Sequence, residues 1–455
     1  MDTTLVVTWQ ALCQLLRPAF TEPTFGTFLH IVTGWVLCRS RPTVSNLVCT
    51  IGQSLLGRAA KHWTTYHRFF YRAVWDLQIL SSLLLLKVVV PLIRVCGLTQ
   101  VIDLCPDDTT CGRYGKHVAF AGYFKDGSAS NARAKVVHWS HNWVIGAVML
   151  RARRWPNWVI GLPVWFELYR KRPDCNRRHP FQSRQQIAAG MIRRTRKLLP
   201  DWRLRVAADG QYATRPVAQE TAGAGSNLVS RIRSDAAIYA LPPKRKPRHR
   251  RGPLPKKGKR LPTPRQIAAR RQKGWRLVKA RMYGKRRQRL VLPVVCLWYR
   301  VNGARPIKLL ISRDPTGQQK DDYLFCTDAA VEDVEILERF AGRWPIEESI
   351  ENGKQLDGME KVQGWCARTV QRQAPLALVV QTLVKAWYLL HGVQAKAAQP
   401  KGTDWQRPKK HPSYLDMLAT LRTVLWTQRI TSNSTLAGRV RGLWKTLRFA
   451  LTAAA

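Results

Sequence analysis

Acid is scarce in this chain. Its 455 residues carry 28 Asp and Glu against 76 Lys and Arg, a formal net charge of +48. A protein so charged repels itself unless a polyanion neutralises it, which argues against a molecule that works without an anionic partner. Nucleic acid is the partner implied, because Lys and Arg contacts to phosphate release counterions and give tight, steeply salt-dependent binding. A membrane surface and the ribosome are the weaker alternatives. Paired cysteines are missing too: none of the ten Cys stands in a C-x-x-C unit. The start, Met1-Asp2-Thr3-Thr4, lacks the cationic region of a secretory signal, so a reducing, cytoplasmic setting is expected. An uninterrupted apolar run is also lacking. Leu77 to Ile93 is short for a bilayer and is broken by Ser81, Ser82, Lys87 and Pro91, so it reads as a buried helix, and no membrane partner is expected.

The length exceeds one comfortable core and predicts several modules. Residues 1–97 read as a helical DNA-binding domain. Val44, Val48, Ile51 and Leu55 fall at helical spacing, with Thr43 or Ser45 as cap and Gly57 as stop. A second helix would turn Trp63, Phe70 and Val74 inward and Lys61, His67, Arg68 and Arg72 outward. The pair is compatible with a helix-turn-helix reading DNA and equally with a plain bundle. From residue 98 to 235 the pattern becomes α/β: three strands at 117–124, 136–150 and 157–166, a helix from Arg184 to Leu199, and a strand at 203–208 ending in Asp209-Gly210. Residues 236–330 read as a basic β-rich insertion. No acidic residue occurs between Asp235 and Asp314, Lys244 to Arg289 reads as a mobile basic arm, and strands resume at 290–301 and 307–312. The core returns over 331–395 with a buried helix from Ala374 to His391, and 396–455 is a helical tail behind a Pro/Lys-rich linker.

In so acid-poor a chain, clustered carboxylates carry information. Three places qualify: Asp107-Asp108-Thr109-Thr110, Asp209 at a strand end, and Glu347-Glu348 with Glu351 near a helix start. Each has an ordinary explanation, since Asp favours turns and acids favour the first helical turn. Together they suit phosphoryl transfer, in which oxygen ligands hold two Mg²⁺ about 4 Å apart. The third cluster is the most specific. In FAGRWPIEESIENGK the residues Phe340, Arg343, Glu347 and Lys354 are spaced F-x2-R-x3-E-x6-K, so Arg343, Glu347 and Lys354 return to one helical face and set a carboxylate between two cations. Pro345 marks the first turn. Trp344 beside it either stacks on a DNA base or packs the helix start. His138 and His141 form H-x2-H, but on a strand they point to opposite faces and do not predict zinc.

The last motif resembles that of the DDE insertion-sequence transposases marked by Y-x2-R-x3-E-x6-K, with Phe340 where that family has Tyr. Upstream, PDDTTCGRYGKHV (106–118) resembles the family's first-Asp block and RVAADGQYA (205–213) its second. The resemblance implies an RNase H-like core interrupted by the β-rich insertion. It also implies Asp108, Asp209 and Glu347 as catalytic metal ligands, with Asp107 the alternative to Asp108 and Asp103 a distant third. Two Mg²⁺ would be the cofactors, with Mn²⁺ able to substitute, and Arg343 and Lys354 would hold DNA phosphates. Cut-and-paste transposition on double-stranded DNA, a homodimeric synaptic complex and a nucleoid-associated location are further implications. A domesticated non-catalytic DNA-binding protein and an RNase H-like nuclease without joining activity are the rival readings.

Overall fold

The computed structural model describes residues 4–127, 129–130, 134–243, 255–394 and 409–431. Five helices lead: α1 (Thr4–Gln14), α2 (Glu22–Leu37), α3 (Val44–Ile51), α4 (Trp63–Tyr71) and α5 (Leu77–Cys96). Helix α2 is buried continuously from Phe25 to Leu37, as an element apolar all round must be. Thr43 caps α3 by accepting from the Asn46 N–H, and Gly52, at φ +65°, ends it. The stop therefore falls five residues before Gly57, which turns a short β-hairpin at 54–59. That hairpin lies between α3 and α4, so the short turn of a helix-turn-helix is not formed. Tyr66, Phe69 and Phe70 form the inner face of α4, whereas Trp63 and Val74 are exposed, contrary to the sequence expectation. Helix α5 buries Leu80, Leu84, Leu85, Val88, Val89, Leu92 and Ile93, as expected of Leu77 to Ile93. It widens to a π-helical turn at Leu84–Val89, next to Pro91, which has no N–H to donate.

The centre is one mixed sheet. Its core strands are β1 (Val101–Gly112), β2 (Gly122–Lys125), β3 (Val137–Arg151), β4 (Val159–Tyr169), β5 (Arg203–Ala207) and β6 (Leu228–Arg231). Strand β3 pairs antiparallel with β1 and β4, and β2 pairs with its start. β1 runs parallel to β5, and β5 parallel to β6. The expected meander is present with one substitution. The 117–124 segment is extended only at its end, because Gly115 and Phe120 take positive φ, and the segment holding the Asp doublet takes the place beside β3 instead. Helices α6 (Arg184–Leu198) and α7 (Arg215–Gly223) accompany this core. A Ser183/Gln186 capping box starts α6.

The expected basic insertion is a continuation of the same sheet. Residues 244–254 of the expected arm lie outside the described residues. The rest forms α8 (Pro264–Arg270) and the hairpin β7 (Arg276–Met282) with β8 (Lys285–Cys296), followed by β9 (Ile307–Arg313) and β10 (Asp322–Cys326). β10 pairs antiparallel with β6, Phe325 opposite Ser230, so the order β4-β3-β1-β5-β6-β10-β9-β8-β7 is unbroken. The chain then forms α9 (Asp333–Ala341), α10 (Pro345–Gln355), the buried α11 (Ala367–Gly392) and α12 (Tyr414–Thr431). Of the expected linker and tail, 395–408 and 432–455 lie outside the described residues.

Helices α1 to α4 pack on α11 and α12 and share one hydrophobic core with the sheet. Buried polar contacts join these parts. Asp357 accepts from Tyr414 Oη (2.7 Å) and Gln381 Nε2 (3.1 Å), and its carbonyl accepts from Trp35 Nε1 (2.9 Å). Lys385 donates to Gly161 O (2.8 Å), Ser349 Oγ (2.9 Å) and Gln381 Oε1 (3.1 Å), while Arg422 reaches the carbonyls of Val36 and Cys38. Burial pushes the Asp357 carboxyl up to about 7, although Tyr414, Gln381, Lys385 and Arg422 all favour its charge. The folded protein thus keeps a proton that the unfolded chain releases near pH 4. Stability should fall as pH rises from about 4 to about 7 and level off above. In Asp357→Asn that slope of Tm against pH should flatten, which a scanning-calorimetry pH series checks.

Candidate active site

Consecutive residues of a strand face opposite sides of a sheet, so the Asp doublet divides. Asp107 faces α10. Arg343 Nη1 donates to its Oδ2 at 3.1 Å, and the Asp108 N–H to its Oδ1 at 2.9 Å. Asp108 faces the other way. Its Oδ2 accepts from Arg184 Nη1 (2.8 Å) and Asn142 Nδ2 (3.0 Å), and its Oδ1 from Tyr212 Oη (3.0 Å) and Gln211 Nε2. Asp209 follows β5, as the sequence predicts, and opens the 3₁₀ turn Gly210–Tyr212. Its carbonyl accepts from Ser230 Oγ at 3.0 Å.

Helix α10 starts at Pro345, as its proline signals, with Trp344 as N-cap. It lies close on β4: a Cβ on Gly161 would sit 2.6 Å from Pro345 O and 2.7 Å from Ser349 Oγ. The one-face spacing of Arg343 and Glu347 is realised as an ion pair, Nη2 to Oε1 at 2.5 Å. One cleft of about 270 Å³ is lined by Asp107, Asp209, Glu347, Arg343, Arg231, Phe340, Trp344 and Tyr283. The structure therefore brings together three of the four expected carboxylates. Asp108, the favoured member of the doublet, is not among them, because the pleat turns it to the far face.

Arg343 is the electrostatic centre of the cleft. Burial opposes its charge, but Asp107 and Glu347 outweigh that and push its pKa up. Burial pushes Asp107 up to about 7, with Arg343 pulling it back. The Arg343 Nε has no partner among the described residues. Phe340 stands with its ring 5.7 Å from the Arg343 guanidinium and 5.1 Å from that of Arg231. Trp344, half exposed, meets Tyr283 edge to face at 6.2 Å.

Other expected residues lie elsewhere. Lys354 is two turns along α10 and pairs with Glu360 at 3.5 Å. Arg68 and Arg72 are exposed at the end of α4, while the Lys61 ammonium is engaged by Pro23 O and Thr27 Oγ1. None of these lines the cleft. Glu348 and Glu351 are outside it, and Asp103 is paired with Arg205 at 2.5 Å. His141 accepts at Nδ1 from Arg113 Nε (2.7 Å) and is held near pKa 4 by burial and that arginine, whereas His138 pairs with Asp126. They share no ligand position. Sequence reasoning missed Arg231 and Tyr283. Tyr283 takes φ +53° before Gly284 at +75°, the left-handed pair that a tight hairpin requires, and Tyr-Gly between two basic runs is the signal for it.

The donors are carboxylate oxygens only, a set that suits a hard divalent cation such as Mg²⁺. Among the described residues no three acidic, His or Cys side chains stand close enough to coordinate one ion as they are. Arg343 stands between Asp107 and Glu347 and pairs with both, so the set fits a metal once the guanidinium yields those oxygens.

A family described as DDE superfamily endonuclease matches residues 15–289, a span that includes Asp107 and Asp209 and ends before Glu347. No curated protein matches. Among solved structures, the piggyBac transposase synaptic complex with hairpin DNA is similar at a TM-score of 0.39 and 12% identity, over 95% of this chain and 79% of that one.

Proposed function

Because the chain belongs to the DDE superfamily endonuclease family, we propose that it is a DNA transposase that cuts its element's ends and joins them to a target by a cut-and-paste route. The observation that carries this reading is the meeting of Asp107, Asp209 and Glu347, from three distant segments, on one cation-lined cleft. Asp107 rather than Asp108 is the first ligand, because it faces the other two. Asp107, Asp209 and Glu347 would hold Mg²⁺, as two ions or with Mn²⁺ in its place, and the bound metal would supply positive charge to the attacking and leaving oxygens of a phosphodiester. Arg343, on the cleft wall between those carboxylates, gives a phosphate oxygen a positive partner beside them. Trp344 and Tyr283 offer ring faces to a base at the cleft mouth.

The β7–β8 hairpin extends this surface. Arg281 stands opposite Arg286 and Lys279 opposite Gln288, with Lys285 and Arg287 beside them. Like charges face to face across strands destabilise a hairpin and are relieved by a polyanion. The hairpin tip bears Tyr283, so duplex bound along it is led to the cleft. Arg68 and Arg72 on the N-terminal helices give a second DNA contact, and pairing of two ends makes the working form a homodimer inside the cell.

The test is a labelled duplex carrying the element's terminal repeat, incubated with wild-type protein in Mg²⁺ or chelator, with Asp209→Ala and Glu347→Ala beside it. Metal-dependent cutting at the repeat end and joined products, by wild type alone, are expected. Cutting without joining would make the chain a nuclease of this family. Equal binding and no cutting by all three would make it a DNA-binding relic.

A further inference from the structure

Strands β1 and β5 are laddered only from Val101↔Arg203 to Leu104↔Val206. Beyond that point they part: β1 continues along β3 past Asp107 and Asp108, and the chain after β5 leaves through Asp209 into the Gly210–Tyr212 turn. The cleft opens at this split. No backbone ladder joins Asp107 to Asp209, so something else must fix their separation.

We propose that Asp108 is a positioning residue that ties the Asp209 turn to the Asp107 strand from the far face of the sheet, and so sets the spacing of the two cleft carboxylates. The proposal rests on the cleft reading given above. An ionised carboxylate has about four acceptor positions, and those of Asp108 are all taken. Gln211 and Tyr212, two and three residues after Asp209, donate to Oδ1. Asn142 of β3 and Arg184, the first residue of α6, donate to Oδ2. One side chain thus ties the Asp209 turn, β3 and α6 to β1, just beyond the point where the β1–β5 ladder ends. Its carboxylate is also nearly solvent-free, with 7% side-chain exposure, so the clamp does not compete with water. A saturated carboxylate pointing away from Glu347 has no oxygen to give a metal. The doublet splits its labour by the pleat: Asp107 faces the cleft and Asp108 holds the cleft's other wall.

Residues that orient metal ligands typically change metal affinity by about 10- to 100-fold when altered. Mn²⁺ binding to the full chain, followed by electron paramagnetic resonance with a terminal-repeat duplex present, reads this without relying on turnover. Cleavage against Mn²⁺ concentration is measured in parallel. Tyr212→Phe, which removes one hydroxyl and keeps the ring, should weaken Mn²⁺ binding about 10-fold, and Asp108→Asn by more. Both should recover cutting as Mn²⁺ is raised, with Tm and duplex affinity near wild type for Tyr212→Phe. Asp107→Asn should not recover at any concentration. If Asp108→Asn behaves as Asp107→Asn does, Asp108 is itself a ligand and the proposal fails. If Tyr212→Phe and Gln211→Ala both leave Mn²⁺ affinity unchanged, the clamp has no role and the proposal fails while the cleft reading survives. Wild-type protein that neither binds Mn²⁺ nor cuts would overturn the cleft reading and the clamp with it.

Discussion

Glu347→Gln and Asp209→Asn should each lower end cleavage by about 10³-fold or more, equal to about 4 kcal/mol of barrier, while leaving duplex binding within twofold of wild type. Both changes keep side-chain shape and remove one negative charge. Asp209 makes no side-chain hydrogen bond among the described residues, and Glu347 makes one contact, with Arg343, while keeping 35% of its side chain in solvent. Asp209→Asn should therefore unfold within about 0.5 kcal/mol of wild type, while Glu347→Gln, which leaves buried Arg343 paired with Asp107 alone, should cost about 1 kcal/mol. Duplex binding by a chain of +48 rests on many phosphate contacts, and gaining one unit of positive charge cannot weaken it. Gel cleavage and fluorescence anisotropy on the same duplex, at fixed salt, separate the two effects. Loss of binding equal to loss of cutting would show that these carboxylates shape the DNA surface and do not act on the bond.

Much of this site could be read from the chain, for local reasons. Pro345 marks the start of α10, and offsets of four residues put Arg343 and Glu347 on one face. The apolar run 203–208 ends at Asp209, which fixes the second carboxylate at a strand end. The Asp doublet was harder. Choosing between Asp107 and Asp108 needs the pleat, and the pleat shows in a sequence only through alternating apolar residues. Pro106 to Thr110 offers none, so nothing local shows that the doublet stands in the middle of β1. Tyr283 and Arg231 were illegible for another reason. They reach the cleft because β10 pairs with β6 and carries the insertion strands into the core sheet, and no local pattern encodes a pairing between segments so far apart. The N-terminal boundary has a similar history. A helix as uniformly apolar as α2 signals burial, but only the tertiary contacts show that it is buried against α3, α4 and α12.

Removing the Arg343 guanidinium should make the protein's stability depend on metal. Arg343 is buried and bridges Asp107 at 3.1 Å and Glu347 at 2.5 Å. In Arg343→Met these carboxylates lose their shared cation, and a buried pair broken on one side costs about 3 kcal/mol, the low end of its range, because Glu347 is partly solvated. Asp107 would respond by keeping its proton to higher pH, since Arg343 is the group that pulls it down. Without divalent ions, Tm should fall below wild type. With Mg²⁺ or Mn²⁺ it should rise more than that of wild type, because the cation then meets two carboxylates with no guanidinium to displace. Cleavage should still drop about 100-fold, because the phosphate loses the cation that holds it beside the carboxylates. Arg343→Lys would restore a charge but not the fork, so it should recover Tm in part and cutting little. Thermal scans with metal and with chelator decide the matter: a variant whose Tm shifts with metal no more than wild type's would mean that Arg343 does not stand where the ion binds.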